Sequence, residues 1–400
     1  MIDSKYRFWI EGVTVTGPEW VTSILDWDQR RLYNVVGNTS IFEENEELAI
    51  EYLKQHINNL DKHVHTIVVD DRGALMSTAW DLEQDTTCAV YYPSFVDAPS
   101  LKNSPVIEFS KLEELERLGP AVDRVRYTNE SRVQQMAVFK YGMIFQRRLR
   151  IWRELHLLKS LPEHPNLVRW DRVVLDDARS QVIGYTTPYI SGGTLDDDHQ
   201  RVLRLSWLHQ LTSVVDYLNL ELGIVHQDIA PRNILIDPAS SSLETEKIRL
   251  FDFDYGAFVG LSGCIPSRND VKGVVFTIYE IVTLDESYRK VPHEEQDLES
   301  VLNLKEWPIR RSLDCDIKAF REHLDAWVQR RKIHREGASE DEALSLTDIP
   351  EMSPPSPVVM SIDEEGKPVY ERSVVQMKID ALKLGNKLIA WERTPDRANQ

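Results

Sequence analysis

The chain has few cysteines and no long apolar run. Its 400 residues include three cysteines, Cys88, Cys264 and Cys315, which are far apart and lack the spacing of metal ligands. This scarcity favours reduced thiols in an intracellular compartment, cytoplasmic or nuclear. No apolar segment opens the chain or approaches the length of a membrane span, so we expect no membrane association.

Positive charge is also in deficit. The chain has 47 Lys and Arg against 65 Asp and Glu, a net charge of −18, which argues against nucleic-acid binding and anionic-membrane binding. Residues 336–371 contain ten acidic residues and one lysine, so half of the excess lies there. Their composition predicts an acidic disordered linker. The hydrophobic content of 42% supports a sizeable core, and the oligomeric state is left open.

One polar loop lies between two short apolar runs, within residues 223–236. It carries His226, Asp228, Arg232 and Asn233 within eight residues. Taken singly, such residues would be turn-forming residues at a strand end.

A second segment, residues 248–254, is again a short strand that ends in carboxylates, Asp252 and Asp254. Asp252 follows Asn233 by nineteen positions. Two strand ends that deliver Asp, Asn and Asp to one place predict a magnesium-phosphate site, because Mg²⁺ prefers hard oxygen ligands.

These motifs resemble the catalytic loop and the metal-binding loop of the eukaryotic protein kinases, H-R-D-x-x-x-x-N and D-F-G. The match looks closest to divergent kinase-like proteins common in filamentous fungi. The resemblance implies ATP and Mg²⁺ as cofactors, Asp228 as catalytic base and Asn233 and Asp252 as metal ligands. It implies Arg232 as the cation near the transferred phosphate; a structural arginine is the alternative.

The upstream segment has the order of a kinase N-lobe. Residues 136–140 predict a strand ending in Lys140, and Glu154 follows fourteen positions later on a predicted helix. Alone, such a pair would be two unrelated surface charges. In the family order, Lys140 resembles the lysine that holds the nucleotide phosphates, and Glu154 its partner.

The segment after the next strand resembles the kinase hinge. On that resemblance Thr187 is the gatekeeper, and the backbone of Pro188, Tyr189 and Ile190 meets the adenine edge. Pro188 has no N–H, so Ile190 would donate. Gly192-Gly193 resembles the turn after the hinge, although an ordinary strand-to-helix turn stays open.

Two further residues resemble structural supports of the kinase fold. Asp270 opens an apolar helix and would hold the backbone of the catalytic loop. His226 is expected to pack beneath Phe253 rather than to act in catalysis.

The glycine-rich loop of the family is reduced. Only Gly119 remains of its three glycines, and Asp123 would repel phosphate. Gly119 is still the expected nucleotide contact at this turn.

The activation segment also departs from the family. Asp254 replaces the glycine of D-F-G, and Gln227 replaces the arginine that reads an activating phosphate. Asp270 follows Asp252 by eighteen positions, which is short for a peptide-binding platform.

The predicted fold is α+β: a bilobal protein-kinase-like fold with a truncated activation segment, a short C-lobe and an N-terminal α+β extension. In the extension we expect a helix after Gly17-Pro18, a helix over 47–63, and strands over 6–15, 65–70 and 86–92. The predicted domains are the extension 1–100, the kinase-like domain 107–335 (N-lobe about 107–187, C-lobe about 191–335), the linker 336–371 and a closing helix and strand within 372–400, with a further linker over 93–105.

The sequence therefore predicts a phosphotransferase that moves the γ-phosphate of ATP to a hydroxyl, with protein Ser, Thr or Tyr narrowly favoured. Its expected partners are a nucleotide and a protein. Two alternatives remain: a pseudokinase that binds proteins, and a small-molecule kinase of the aminoglycoside phosphotransferase type.

Overall fold

The computed structural model describes residues 4–43, 45, 47–80, 91–144, 147–178, 180–238, 246–337, 349–352, 361–362, 368–369 and 374–393. The strands are β1 (Phe8–Thr16), β2 (Glu19–Asp26), β3 (Arg31–Asn38), β4 (Thr66–Val69), β5 (Leu75–Ala79), β6 (Val106–Glu108), β7 (Glu113–Gly119), β8 (Val122–Thr128), β9 (Gln134–Tyr141), β10 (Arg172–Leu175), β11 (Val182–Pro188), β12 (Ile224–Val225), β13 (Ile234–Asp237), β14 (Lys247–Leu250), β15 (Ala257–Phe258), β16 (Ser361–Ile362) and β17 (Pro368–Val369). The helices are α1 (Ser4–Arg7), α2 (Thr39–Phe42), α3 (Leu48–His56), α4 (Arg148–Ser160), α5 (Leu205–Asp216), α6 (Asp270–Thr283), α7 (Glu299–Leu302), α8 (Ile317–Gly337) and α9 (Val374–Lys383).

The chain divides into two compact units, and the architecture is α+β as expected. The first unit comprises Met1–Trp152, Asp171–Thr187 and Glu351–Gln400, and the second comprises Arg153–Trp170 and Pro188–Pro350. The domain boundary expected near residue 100 falls inside the first unit.

The first unit contains a five-stranded sheet in the order β1-β2-β3-β4-β5. Strands β3 and β4 are parallel and are connected through α2 and α3. The helix expected after Gly17-Pro18 is wrong, because these residues form β2. Trp20, Thr22 and Ile24 are buried with a period of two, which suits a strand with one face on the core.

The first unit also contains a six-stranded sheet in the order β6-β10-β11-β9-β8-β7. The linker expected over 93–105 is instead packed. Ser94 pairs with Gln181, Leu101 is fully buried, and the carbonyl of Pro105 accepts a hydrogen bond from the Val173 N–H at 2.9 Å.

The C-terminal segment of the first unit contains α9, as expected, but no strand in residues 384–393. Trp391 is nevertheless buried, against the aromatic core of the six-stranded sheet. Residues 86–90 of the strand expected over 86–92, and nearly all of the acidic stretch from residue 338 to residue 371, lie outside the described residues.

The second unit contains the part of α4 from Arg153 onwards, α5, α6, α7, α8 and short strand pairs. Hairpin β13–β14 follows the catalytic loop, and α6 is buried over most of its length. Helix α8 buries Phe320, Leu324 and Trp327, as its spacing predicts. In the part of the chain that the structure describes, no helix combines the length and apolar character that a membrane span requires.

Candidate active site

The loop between β12 and β13 places Asp228 beside two side chains that follow it. One terminal nitrogen of Arg232 lies 2.8 Å from each carboxylate oxygen of Asp228. The amide nitrogen of Asn233 donates to the backbone carbonyl of Asp228 at 2.7 Å and to its Oδ2 at 2.9 Å. A single turn of 3-10 helix, Pro231–Asn233, brings both partners back towards Asp228. The carboxylate is therefore held in one orientation.

The charge of Asp228 is stabilised by the same contacts. Burial alone would raise the pKa of Asp228, but the nearby charges of Arg232 and His226 and the hydrogen bonds from Arg232 and Asn233 lower the pKa below its ordinary value. The group is thus an anion at neutral pH.

Three carboxylates meet at the end of the strand that leads to Asp252. Oxygen atoms of Glu154, Asp252 and Asp254 all lie within 4.8 Å of one another. Asp252 has a φ of +65°, a left-handed conformation that is unusual for a residue other than glycine and that marks a constrained backbone at a candidate functional site. The sequence argument counted Asp254 among the carboxylates at this strand end but assigned only Asn233 and Asp252 as metal ligands, although the two aspartates of Asp-Phe-Asp were a signal for this cluster.

The donor atoms here suit magnesium. Carboxylate oxygens and an amide oxygen are hard ligands of the type that Mg²⁺ takes. Asn233 uses its amide nitrogen to hold Asp228, and within the described residues its Oδ1 accepts no hydrogen bond. Asn233 and Asp252 therefore remain suitable ligands, with Asp254 as an additional one.

The catalytic loop is supported from below by Asp270, as the resemblance implies. Its carboxylate accepts hydrogen bonds from the backbone N–H groups of His226 at 2.8 Å and Gln227 at 2.7 Å, and from the side chain of Asn219 at 2.8 Å. The His226 ring lies 4.5 Å from the Phe253 ring and is fully buried. His226 thus packs as expected, with its Nε2 2.9 Å from the Phe251 carbonyl oxygen.

Gln227 connects this loop to the short segment after Asp252. Its amide nitrogen donates to the carbonyls of Tyr255 and Gly263, and its oxygen accepts from the Ile265 N–H. Only 3% of Gln227 is exposed, and its φ is +65°. Gln227 therefore holds the segment through hydrogen bonds between neutral groups. In the family motif this position is an arginine that binds an activating phosphate.

In the first unit, β8 and β9 present alternate residues to opposite faces of the sheet. Val122 pairs with Lys140 and Asp123 pairs with Phe139, so Asp123 and Lys140 lie on different faces. Asp123 is buried and bonded to Arg30 and Arg393. The expected repulsion between Asp123 and phosphate is therefore wrong, because the carboxylate faces away from the side of Lys140.

Two other predicted nucleotide contacts also lie in the first unit. Gly119 is the last residue of β7, and Thr187 is half-buried near the end of β11. Lys140 belongs to the first unit and Glu154 to the second, so their pairing stays a prediction.

The turn after the predicted hinge pairs with strand β13 of the β13–β14 hairpin. The Leu195 N–H donates to the Ile234 carbonyl at 3.0 Å, and the Ile236 N–H to the Gly193 carbonyl at 2.9 Å. A Cβ on Gly192 would lie 1.9 Å from the Ile236 carbonyl oxygen, so this position requires glycine. Gly192 serves this close approach, whereas Gly193 has a φ of +69°, a conformation that favours glycine.

Tyr189 and Ile190 line a cavity of about 600 Å³ in the second unit. Its other walls include His164, Asp237 and Arg249. Asp237 is at the end of β13 remote from Asn233, so this cavity is separate from the catalytic loop.

The sequence model described as "Protein kinase domain" matches residues 125–281. This match and the curated relatives support a eukaryotic protein kinase-like superfamily for this part of the chain. The matched residues include Lys140, Asp228 and Asp252. Its kinase-like α+β fold agrees with the resemblance in the motifs.

Curated relatives are similar over parts of their length. The chain is 34% identical to serine/threonine-protein kinase ssp1 of Schizosaccharomyces pombe over 129 residues, 31% of this chain and 18% of that protein. It is 30% identical to CBL-interacting serine/threonine-protein kinase 16 of Arabidopsis thaliana over 146 residues, 34% and 29% of the two chains. It is 26% identical to human ephrin type-A receptor 5 over 197 residues, 42% and 18%. The chain thus spans less than a third of the length of these relatives, which support a kinase-like phosphotransferase function.

Proposed function

We propose that the protein is an ATP- and Mg²⁺-dependent phosphotransferase that transfers the γ-phosphate to a hydroxyl. The observation that carries this proposal is the arrangement around Asp228. Its carboxylate is charged, oriented by Asn233 and Arg232 and supported from behind by Asp270. A site that no longer performed chemistry would have no need of a catalytic carboxylate held in this way.

Each residue has a role in the proposed reaction. Asp228 orients the acceptor hydroxyl and accepts its proton, and Arg232 supplies positive charge near the transferred phosphate. Asn233 and Asp252 would hold Mg²⁺, which neutralises phosphate charge when bound. Lys140, positioned by Glu154, would bind the nucleotide phosphates, with Gly119, Thr187, Tyr189 and Ile190 as further nucleotide contacts.

A protein hydroxyl is the acceptor that we favour narrowly. Two relatives are named serine/threonine-protein kinases, which supports it. A small-molecule acceptor is the second candidate, because only seventeen residues separate Asp252 from Asp270 and leave little room for a peptide platform.

A protein-binding pseudokinase is the remaining candidate. It is favoured by the β7–β8 turn, in which Ala121, rather than a glycine, has a φ of +59°. A turn with one glycine approaches phosphate less closely than the family loop does.

Thermal unfolding with ATP, with and without Mg²⁺, tests the proposal. Ligand at a hundred times its Kd stabilises a fold by about 2.7 kcal/mol, so a magnesium-dependent rise in Tm is expected. Asp252→Asn should abolish the magnesium dependence, whereas Asp325→Asn, the same change at an exposed position of α8, should keep it. Equal binding with and without metal would reject the catalytic proposal, and no rise at millimolar ATP would favour the pseudokinase.

A further inference from the structure

Asp123 of β8 is buried between two arginines that are distant in sequence. Its carboxylate is 1% exposed and accepts hydrogen bonds from Arg30 and, at 2.7 Å, from Arg393. A buried carboxylate is costly unless it is paired and hydrogen-bonded, so both arginines are needed to hold it there.

The two arginines come from segments outside residues 125–281, the part that the kinase family matches. Arg30 lies in the turn between β2 and β3, with a φ of +53°. Arg393 follows α9 and also donates to the carbonyls of Trp27 at 3.0 Å and Asp28 at 2.8 Å. The turn and the C-terminal segment therefore bind each other as well as β8.

An aromatic contact extends this junction to β9. Trp391 is stacked on Tyr141 with ring centroids 4.9 Å apart, and its Nε1 donates to the Tyr92 hydroxyl at 2.9 Å. The guanidinium of Arg30 lies 4.4 Å from the centre of the Tyr141 ring and donates to its hydroxyl at 2.8 Å. We call residues 389–393 the docked tail.

The docked tail covers one face of the strands whose other face presents Lys140. Lys140 and Tyr141 are consecutive in β9, and Val122 and Asp123 are consecutive in β8, so each pair points to opposite faces. A displacement of either strand on the tail side therefore moves Lys140 and the β7–β8 turn.

We infer that Arg30 and Arg393 are positioning residues of the nucleotide site, acting through Asp123 and the docked tail. This inference rests on the proposed phosphotransferase function. The β7–β8 turn keeps one glycine and cannot close on phosphate as a three-glycine loop does. The fixed contacts behind β8 and β9 instead hold the turn and Lys140 in the binding geometry, so tail docking and nucleotide affinity are coupled.

The test compares full-length variants by equilibrium titration with ATP and Mg²⁺. Arg393→Gln is expected to raise the Kd for ATP about tenfold, which corresponds to about 1.4 kcal/mol. The Kd of Arg393→Lys should lie between those of the wild type and Arg393→Gln. Arg321→Gln is the matched control, because it removes hydrogen bonds to the carbonyls of Lys305 at 3.0 Å and Leu304 at 2.6 Å in the second unit. It should lower stability without changing the Kd.

Hydrogen exchange of the docked tail is the second measurement, because a purely structural tail would not respond to nucleotide. Coupling is reciprocal, so ATP should slow exchange in residues 389–393 of the wild-type chain. The inference is overturned, while the proposed function stands, if the Kd is unchanged in Arg393→Gln. The same holds if the rate of hydrogen exchange in the docked tail is equal with and without ATP. Failure of the wild-type chain to bind ATP overturns the proposed function and the inference with it. If Arg393→Gln does not fold, Arg393→Lys and the exchange experiment decide.

Discussion

Arg232 reaches back four residues and places one guanidinium nitrogen 2.8 Å from both carboxylate oxygens of Asp228. The Arg232 side chain is 48% exposed and Asp228 is 13% exposed, so the pair is only partly screened by water. The contact gives Arg232 an effect on the basicity of Asp228 in addition to its proposed effect on the phosphate.

Replacement of Arg232 should change the pH dependence of phosphotransfer. The contacts of Asp228 hold its pKa below the ordinary value, so the base stays deprotonated as the pH falls. In Arg232→Gln the pKa of Asp228 rises, and the acidic limb of the activity profile moves to higher pH. The measurement is kcat/KM as a function of pH, with Arg232→Lys as the charge-conserving control. An acidic limb that stays in place would show that Arg232 does not set the titration of this base.

Gln227→Ala should loosen the segment between Asp252 and Asp270. The change leaves two carbonyls and one N–H of that segment without the side chain that binds them, which costs about 1–3 kcal/mol. We expect faster hydrogen exchange and faster proteolysis in residues 255–265.

The control for that change is Gln296→Ala, which removes an amide that donates to the Val291 carbonyl at 2.8 Å outside this segment. Phosphatase treatment of the wild-type protein should leave the exchange of the segment unchanged, since no phosphate takes part in holding it. Equal exchange in Gln227→Ala and wild type would contradict the proposed role of Gln227.

Two glycines allow structure and nucleotide binding to be tested separately. A Cβ at Gly192 meets the Ile236 carbonyl oxygen at 1.9 Å, whereas a Cβ at Gly119 meets no described atom within 4 Å. Gly192→Ala should destabilise the protein by about 3 kcal/mol, because backbone must move. Gly119→Ala should leave the free energy of unfolding within about 0.5 kcal/mol of wild type, and chemical denaturation measures both.

Any loss of ATP affinity in Gly119→Ala then reports close approach of this backbone to the nucleotide. Full affinity in that variant would remove Gly119 from the proposed contacts. A similar small effect of both alanine changes on unfolding would mean that the turn at Gly192 is not as tightly packed as described.

Local patterns predicted the strands and helices that carry the site. The β-branched and aromatic runs of β8 and β9 and the helical spacing of α8 were read correctly, because each is decided by neighbours in sequence. The helix expected after Gly17-Pro18 failed, since Trp20, Ile24 and Leu25 fit helical spacing as well as the strand that they form. Burial with a period of two is visible only once the partner strands are known.

Long-range contacts explain the remaining differences at the site. Asp123 was expected to face phosphate, and its actual partners, Arg30 and Arg393, lie 93 and 270 positions away. No spacing rule connects residues at such separations. The order of motif residues along the chain predicted the places of Asp228, Asn233 and Asp270. The contacts of Asp123 with its two arginines follow no sequence motif, so only the folded structure reveals them.

The proposed phosphate-binding role of Lys140 provides the strictest test of catalysis. Lys140 lies near the end of β9, on the sheet face opposite the aromatic core formed by Phe139 and Tyr141. Lys140→Met removes the ammonium and keeps an unbranched side chain of similar length, so the fold and its Tm should change little. Phosphotransfer should fall by at least about a hundredfold, because a fixed charge on the nucleotide phosphates is lost. Lys247→Met, at the exposed first residue of β14, is the control and should retain full activity. Unchanged turnover in Lys140→Met would show that another cation holds the phosphates, and Arg232 would then be the first candidate to examine.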